Sequence, residues 1–406
     1  MRFLFVHQNF PGQYLHLLQH LVRAGTHEVM FITEDNGNLI PGVRRVTYRG
    51  PPDLRDDVHR DAQEFEQAVH RAQLVAAAAS QLKALGFTPD IIIGHHGWGE
   101  LLNMQDVWPG VPLLGYFEFY YNLHNSDVDF DAEFPTGGVS AHSRVRAKNA
   151  VNLLALNNPG AGQTPTVYQR STYPEWAQGG ITVMPEGVNL DQCAPNPAMV
   201  ANTLALGDFT VQPGDKLVTY VARDLEPYRG FHTVMRALPG LLRGRRDVKV
   251  VMVGGDGVSY GAQLVGSTWR DYFSNQVAPH TDLARVCFPG RVPYDAYLAL
   301  LQRSDVHVYL TYPFVASWSL REALACGCCV VASDTAPVHE FVQDGVNGVL
   351  TPFFDPPALA GRVLRLLEDR DEAARLRAGA RAYAERALRL SDTIAGYEAL
   401  VRRLVG

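Results

Sequence analysis

A glutamate near the start of a predicted helix is the residue whose chemistry the sequence indicates most clearly. Glu322 lies about one turn into a helix that is predicted to begin near Ser319 and to end at Gly327, and an apolar strand, Cys329 to Ala332, follows directly. Open parallel sheets bind ligands beyond the carboxyl ends of their strands. A carboxylate there can accept hydrogen bonds from two ribose hydroxyls; the alternative is a helix glutamate that only faces solvent.

Groups that suit an anion lie in the same half of the sequence. Arg223 and Arg229 follow the predicted strand 217–221, and the fork of a guanidinium group matches phosphate oxygens. The alternative is one surface arginine and one arginine paired with Glu226. The start of the helix that carries Glu322 would add backbone N–H groups, because a helix N-terminus favours anions. Those N–H groups belong to Ser317, Trp318, Ser319 and Leu320.

Glycines follow two of the predicted strands. Gly12 comes after the strand 3–6, and Gly254 and Gly255 come after the strand 248–253. A glycine at such a turn lets backbone N–H groups approach a phosphate, although an ordinary turn has the same appearance. The spacing G-x-G-x-x-G is absent, which disfavours a nicotinamide dehydrogenase.

Polar residues also follow two strands of the first half. His95 and His96 come directly after the strand 91–93, where a neutral imidazole can hydrogen-bond a sugar hydroxyl; a structural histidine is the alternative. Glu118 and Tyr120 follow the strand 113–116. They can receive an acceptor, since aromatic rings suit sugar faces, and packing within the loop is equally compatible with their positions.

No metal site is predicted. Asp127 and Asp129 spell D-x-D, but they lie in an acidic, aromatic-rich loop and not after a buried strand. The cysteines at 326, 328 and 329 have no second Cys/His pair at ligand spacing, so we expect them to pack in a core. We therefore expect no metal and no cofactor.

Size and composition indicate two globular domains. The chain has 406 residues, of which 47% are hydrophobic, and this suffices for two cores. No run of about 18 apolar residues occurs, so no membrane span is predicted. A net charge of −6 argues against nucleic-acid binding, and five cysteines, an odd and partly clustered set, indicate reduced thiols. The apolar start of the chain is too short for a signal peptide.

Strands alternate with helices in both halves, which predicts an α/β fold with parallel sheets. The first domain is predicted over residues 1–185, and a last helix, 391–406, returns to it; the second domain covers 186–390. Two stretches, 157–165 and 194–214, are expected to be irregular, the second as a linker. The predicted strands cover residues 3–6, 28–32, 91–93, 113–116, 181–184, 217–221, 248–253, 306–310 and 330–332.

The motifs together resemble one enzyme family over nearly the whole chain. The segment from Glu322 to Gly327, Glu-Ala-Leu-Ala-Cys-Gly, resembles the nucleotide-sugar site of retaining glycosyltransferases of the GT-B fold, family 4, also called glycosyl transferase group 1. The first loop, His7–Tyr14, and the stretches 166–170 and 184–189 are similar to one subgroup of that family. The family usually has a first glutamate eight positions before the second, and Phe314 stands there in this chain.

The resemblance implies a role for each matched residue. His96 would contact the donor sugar and His95 would lie behind it. Arg223 and Arg229 would bind the diphosphate, with Arg229 where lysine is commoner, and Glu322 would bind the ribose. The loop at Gly254 and Gly255 would lie beside the nucleotide, and the backbone of Arg291 and Val292 would read the base. The implied fold has two Rossmann-like domains facing an interdomain cleft.

The implied activity is transfer of a hexosyl group from a UDP- or GDP-linked sugar, with retention of configuration and without a metal, to a glycan, lipid-linked or small-molecule acceptor. A nucleotide-sugar epimerase or hydrolase of the same fold stays open, as does a catalytically silent nucleotide-binding protein. The expected location is the cytoplasm, with peripheral contact at the inner face of the membrane as an open alternative. The residues leave the donor base, the sugar, the acceptor and the oligomeric state open.

Overall fold

The computed structural model describes the backbone of residues 1–406 and all side chains except that of residue 140. The chain divides into two compact units: unit 1 comprises residues 1–186 and 390–406, and unit 2 comprises residues 187–389. Each boundary lies one residue from the predicted one. Both units are built on a parallel sheet, as the alternation of strands and helices predicted.

Unit 1 contains a seven-stranded parallel sheet in the order β3-β2-β1-β4-β5-β6-β7. The chain order reverses between β1 and β4, which pair in register from Phe3 with Ile91 to Val6 with Gly94. The carboxyl ends of β1 and β4 are therefore adjacent, at the topological switch point where such sheets bind ligands. The strands are β1 Arg2–Val6, β2 Glu28–Glu34, β3 Arg44–Tyr48, β4 Ile91–His95, β5 Leu113–Tyr116, β6 Ala161–Thr164 and β7 Ile181–Val183.

The last helix of the chain packs in unit 1, as predicted. Tyr397, Leu400 and Val401 of this helix share a core with Leu17 and Leu21 of the first helix. Burial of such a side chain contributes about 1.5–3 kcal/mol each, enough to hold the helix in place. The helices of the unit are α1 Leu15–Ala24, α2 Gln63–Ala84, α3 Met104–Val107, α4 Val139–Lys148, α5 Ala150–Leu156, α6 Val167–Thr172, α7 Glu175–Gln178 and α15 Leu390–Val405.

Unit 2 contains a six-stranded parallel sheet in the order β12-β11-β10-β13-β14-β15, with its switch point between β10 and β13. The remaining two strands, β8 and β9, form a separate antiparallel hairpin. The strands are β8 Leu204–Leu206, β9 Phe209–Val211, β10 Lys216–Asp224, β11 Val248–Gly255, β12 Val286–Gly290, β13 Val306–Tyr309, β14 Val330–Ser333 and β15 Val349–Thr351. The helices are α8 Phe231–Gly244, α9 Trp269–Val277, α10 Tyr294–Arg303, α11 Trp318–Ala325, α12 Ala336–His339, α13 Pro356–Glu368 and α14 Arg370–Ala387.

Two expectations about irregular segments are wrong. The stretch 157–165 contains β6, which pairs with both β5 and β7. The stretch 194–214 contains the hairpin β8–β9 and a 3-10 helix, Pro197–Ala201. The strand β10 also continues to Asp224, so Arg223 lies within the strand and not beyond it.

Candidate functional site

The carboxylate of Glu322 is held by two tyrosine hydroxyls. Tyr294 and Tyr297, three residues apart on α10, each donate a hydrogen bond of 2.7 Å, the first to Oε1 and the second to Oε2. Burial raises the pKa of Glu322, and the two tyrosine hydrogen bonds oppose this shift. Each carboxylate oxygen keeps a further acceptor site, so the group can receive a pair of vicinal hydroxyls.

Arg229 lies beneath aromatic rings and is only 7% exposed. Its Nη1 donates to the Thr311 hydroxyl at 2.7 Å and to the Val315 carbonyl oxygen at 2.9 Å. The Tyr260 ring centroid is 4.9 Å from its guanidinium carbon. The hydrogen bonds tie this cation to the segment that leads into α11, and aromatic rings cover most of its side chain.

Arg223 and Arg291 are both exposed at the ends of β10 and β12. The Nη2 of Arg291 donates to Asp224 at 2.9 Å, and this aspartate is buried. Gly255 fits here because a methyl group at its Cα would lie 2.5 Å from the Asp224 carboxylate. Two exposed guanidinium groups thus flank the end of the sheet, while Val292 packs partly against the core.

The loop after β11 is fastened to a buried carboxylate. Glu226 is fully buried and accepts backbone N–H groups of three consecutive residues: Ser259 at 3.0 Å, Tyr260 at 3.3 Å and Gly261 at 2.8 Å. The Ser259 hydroxyl donates to Asp224 at 2.5 Å. The loop that follows Gly254 and Gly255 is therefore fixed by two acidic side chains rather than loose.

The start of α11 uses two of its four predicted phosphate donors internally. The Ser317 N–H donates to the Tyr309 hydroxyl at 2.7 Å, and the Leu320 N–H donates to the Ser317 carbonyl oxygen at 3.3 Å. The Ser317 and Ser319 hydroxyls bond each other. Trp318 and Ser319 are the first two residues of α11, where backbone N–H groups have no acceptor within the helix, so they are the positions best placed to present N–H groups to an anion.

His96 is packed inside unit 1, against β5. It is 2% exposed, and its ring centroid lies 4.6 Å from that of Phe117. A methyl group on Gly115 would overlap its Nε2, so the imidazole occupies the space that this glycine leaves. Burial and the neighbouring His95 lower the pKa of His96 to about 3, so the ring is neutral near pH 7. Its Nδ1 has no partner among the described residues.

His95 joins the ends of β1, β4 and β5. Its Nδ1 accepts the Gly97 N–H at 2.9 Å, so Nε2 carries the proton and lies 3.5 Å from Oε2 of Glu118. The ring packs edge-on to His7, 5.3 Å between centroids. Burial and His95 lower the pKa of His7 to about 3. His95 is therefore linked to the predicted acceptor residue Glu118, which is partly exposed, whereas Tyr120 packs on Tyr173.

The first loop of unit 1 is held by a carboxylate that was not predicted. Glu100 is fully buried, and its Oε1 accepts the Gln8 N–H at 2.9 Å. Burial raises the pKa of Glu100. Gly12 begins the 3-10 turn Gly12–Tyr14, which leads into α1. Its φ is 54°, a backbone conformation that glycine adopts readily because it has no side chain.

The D-x-D aspartates have partners within the protein. Asp127 accepts the Ser126 hydroxyl at 2.6 Å, and Asp129 accepts the Thr136 N–H and hydroxyl at 2.9 and 2.6 Å. Within the described part of the chain, no three His, Cys, Asp or Glu side chains are grouped as a metal ion requires. All five cysteines are free, and those at 193, 326 and 328 lie in the core of unit 2. None of the described helices has the length and hydropathy to cross a membrane.

Sequence reasoning missed the residues that position the predicted ones. Tyr294 and Tyr297 carry a helical i, i+3 spacing that was visible, but nothing local pairs them with Glu322. Gly115 is a glycine within a strand, a known sign of close approach by another group. Glu100 follows a strand and could have been noticed as a carboxylate at a ligand edge; Glu226 was considered only as a partner for an arginine, and its role in holding the loop 259–261 was missed.

Two family models match the chain, one in each unit. Residues 25–193 match the glycosyl transferase family 4 group, and residues 208–383 match glycosyl transferases group 1. Between them the two models account for most of the sequence. The chain belongs to the family 4, group 1 glycosyltransferases, and its two parallel-sheet α/β units are the two domains of a GT-B fold.

Known proteins resemble the chain over part of its sequence and over its whole fold. It is 29% identical over 191 residues to the phosphatidyl-myo-inositol mannosyltransferase of Mycobacterium leprae, covering 46% of this chain and 44% of that protein. It is 31% identical over 209 residues to the D-inositol 3-phosphate glycosyltransferase of Xylanimonas cellulosilytica, covering 51% and 47%. The matched segments thus span less than half of these relatives.

Two solved structures share the fold. Sucrose-phosphate synthase from Thermosynechococcus elongatus aligns with a TM-score of 0.75 and 19% identity, covering 100% of this chain and 99% of that one. HepE of Anabaena, in complex with UDP-glucose, aligns with a TM-score of 0.71 and 16% identity, covering both chains fully.

Proposed function

We propose that this protein is a retaining glycosyltransferase that moves a hexosyl group from a UDP- or GDP-linked sugar to a glycan, lipid-linked or small-molecule acceptor. The observation that carries the proposal is the carboxylate of Glu322 on α11, which Tyr294 and Tyr297 of α10 orient by hydrogen bonds. Arg229 is bonded to the segment that leads into α11. A carboxylate that can accept two ribose hydroxyls thus lies on α11, and a cation suited to phosphate is bonded to the segment that leads into this helix.

The chemistry follows from the charges of unit 2. As the bond between the sugar and the diphosphate breaks, negative charge develops on the leaving group. Arg223, Arg229 and the start of α11 would stabilise that charge, because fixed cations and dipoles need little reorganisation during the reaction. We propose that the acceptor hydroxyl attacks the anomeric carbon from the face that the diphosphate leaves. A phosphate oxygen of the donor would take the proton of that hydroxyl.

Unit 1 would act on the sugar and the acceptor. His96, a neutral imidazole, would contact the transferred hexose, and Glu118 with Tyr120 would receive the acceptor. The curated relatives are named for inositol-containing and lipid-linked acceptors, and HepE was solved with UDP-glucose. These names support the classes of donor and acceptor proposed for this chain. The proposal also includes a cytoplasmic location and peripheral contact with the membrane.

A donor screen tests the proposal. Ligands that bind only the folded state at a hundredfold excess over Kd add about 2.7 kcal/mol of stability. We therefore expect UDP- or GDP-sugars, but not nicotinamide dinucleotides, to raise the thermal midpoint by several degrees, roughly 2–4 °C per kcal/mol. Chromatography of the products with and without acceptor then follows. A free or altered sugar without acceptor would indicate a hydrolase or epimerase, and binding with no product would indicate a silent protein.

Turnover is expected to survive chelation. Arg223 and Arg229 supply the positive charge that a divalent metal supplies in metal-dependent sites, and the D-x-D aspartates bond Ser126 and Thr136. Activity measured before and after excess EDTA should agree within error. Loss of activity that manganese restores would contradict this and would make Asp127 and Asp129 the first candidates for ligands.

A further inference from the structure

The two tyrosines of α10 present their hydroxyls to Glu322 as a matched pair. Tyr294 and Tyr297 lie three residues apart on one face of the helix, and their ring centroids are 5.8 Å apart. Tyr294 donates to Oε1 of Glu322 and Tyr297 donates to Oε2, both at 2.7 Å. The plane of the carboxylate is therefore fixed by two contacts, since turning it about its last bond would lengthen both.

The tyrosines are themselves held within unit 2. Tyr297 is 8% exposed and belongs to the core that also contains Leu298 and Leu320. Tyr294 is 44% exposed, and its hydroxyl oxygen lies 3.5 Å from the sulfur of Cys193. Burial raises the pKa of both tyrosines, so both hydroxyls keep their protons near neutral pH and act as donors.

The charge of Glu322 depends on these two donors. Burial raises the pKa of Glu322, whereas the two tyrosine hydrogen bonds and the charge of Arg321 on the same helix lower it. The thiols of Cys193 and Cys326 also face this carboxylate. Loss of a tyrosine hydroxyl should therefore raise the pKa of Glu322 further. Because the ionised form accepts hydroxyls, binding through this carboxylate would then be lost at a higher pH.

We propose that Tyr294 and Tyr297 are positioning residues through which the protein selects ribonucleotides over 2′-deoxyribonucleotides. The inference rests on the proposed function, in which Glu322 binds the ribose, and it adds the residues that determine this selection. With one tyrosine on each oxygen, both carboxylate oxygens keep an acceptor site for one hydroxyl of a vicinal diol. A 2′-deoxyribose fills only one of these sites. The lost hydrogen bond to a charged group corresponds to roughly tenfold in Kd.

Isothermal titration calorimetry with matched nucleotides tests the inference. The probes are UDP with 2′-deoxy-UDP and GDP with 2′-deoxy-GDP, titrated at several values from about pH 5 to pH 8. For the base that wild type accepts, the ribonucleotide should bind roughly tenfold more tightly at neutral pH. The double variant Tyr294→Phe/Tyr297→Phe keeps both rings and removes both hydroxyls. Its ratio should fall to about threefold or less, and its affinity for the ribonucleotide should begin to fall at a higher pH than in wild type.

Tyr272→Phe is the matched control, because Tyr272 on α9 has nearly the same exposure as Tyr294, 45% against 44%. It should leave the ratio and the pH profile unchanged, and the thermal midpoint without nucleotide reports whether each variant is folded. A double variant that keeps either the wild-type ratio or the wild-type pH profile overturns the inference, since a role in packing alone would not move the profile.

The same titrations separate failure of the inference from failure of the proposed function. Equal affinity of wild type for the ribonucleotide and its 2′-deoxy form would overturn the inference and leave the proposed function standing. If wild type binds neither UDP nor GDP, the proposed function itself fails, and the inference fails with it.

Discussion

Replacing Glu322 with alanine should weaken the binding of UDP or GDP by one to two orders of magnitude. The carboxylate is partly buried and oriented by Tyr294 and Tyr297, so little reorganisation would be needed for the proposed contact with the ribose hydroxyls. A hydrogen bond to a charged group contributes about 1.5–3 kcal/mol, which corresponds to a change in Kd on the order of ten- to hundredfold. Calorimetric titration of wild type and Glu322→Ala measures the difference directly.

Glu368→Ala provides the control for this experiment, since Glu368 is an exposed glutamate near the end of another helix, α13. It should bind nucleotide as wild type does. The affinity should also depend on pH in one direction. Burial raises the pKa of Glu322, and the ionised form accepts the hydroxyls, so affinity should fall as the pH is lowered through that raised pKa and stay constant above it. An unchanged Kd in Glu322→Ala would remove this residue from the site.

The sheets were predictable because their strands have strong local signals. Apolar runs such as Ile91–Ile93 and Leu113–Tyr116 stand between turn residues and helices, and the structure places strands there. The strand β6 has no such signal, because Ala161 and Gly162 are poor strand formers. It forms through its two neighbours, β5 and β7, and a side chain at Gly162 would collide with the Phe117 ring.

The hairpin β8–β9 was predictable in principle. Leu206 pairs with Phe209 across a two-residue turn, Gly207-Asp208, and Gly207 has a φ of 60°. Gly-Asp between short apolar runs is a known hairpin signal. The surrounding segment is rich in proline, asparagine and alanine, and this composition favoured the interpretation as a linker.

The sequence indicated candidate site residues but not the contacts that hold them. Motif and spacing indicated Glu322 and Arg229, yet the tyrosines that hold Glu322 lie 25 and 28 residues earlier in the chain. The departure at Phe314 was visible in the sequence. The packing of Phe314 against Tyr260 was not visible, because the loop that carries Tyr260 is held in place by Glu226. Long-range hydrogen bonds of this kind leave no periodic signal.

Replacing His96 with alanine should lower turnover tenfold or more while nucleotide affinity stays nearly constant. A group that contacts the sugar chiefly in the transition state affects kcat rather than ground-state binding, and tenfold corresponds to roughly 1.4 kcal/mol. His96 lies in unit 1, and the nucleotide groups proposed above lie in unit 2. Because its pKa is about 3, the imidazole should act in its neutral form, and its own titration should not appear in kcat between pH 6 and pH 8.

The buried position of His96 makes a stability control necessary. The ring fills the space above Gly115, so alanine leaves a cavity, and the thermal midpoint of each variant has to be measured with its kinetics. His95→Ala is the matched variant, with a ring of similar burial on the preceding residue. His95→Ala is expected to lower turnover less than His96→Ala does, because the family resemblance assigns the sugar contact to His96.

The contacts of the two histidines define how this comparison is decided. His95 directs its Nε2 proton at Glu118, whereas His96 has an unpartnered Nδ1 among the described residues and packs on Phe117. If His96→Ala keeps full turnover and His95→Ala loses it, the reacting sugar is contacted by the His95–Glu118 pair, and His96 is a packing residue for β5. If only His96→Ala loses turnover, with the nucleotide Kd and the fold intact, the proposed contact between His96 and the donor sugar is supported.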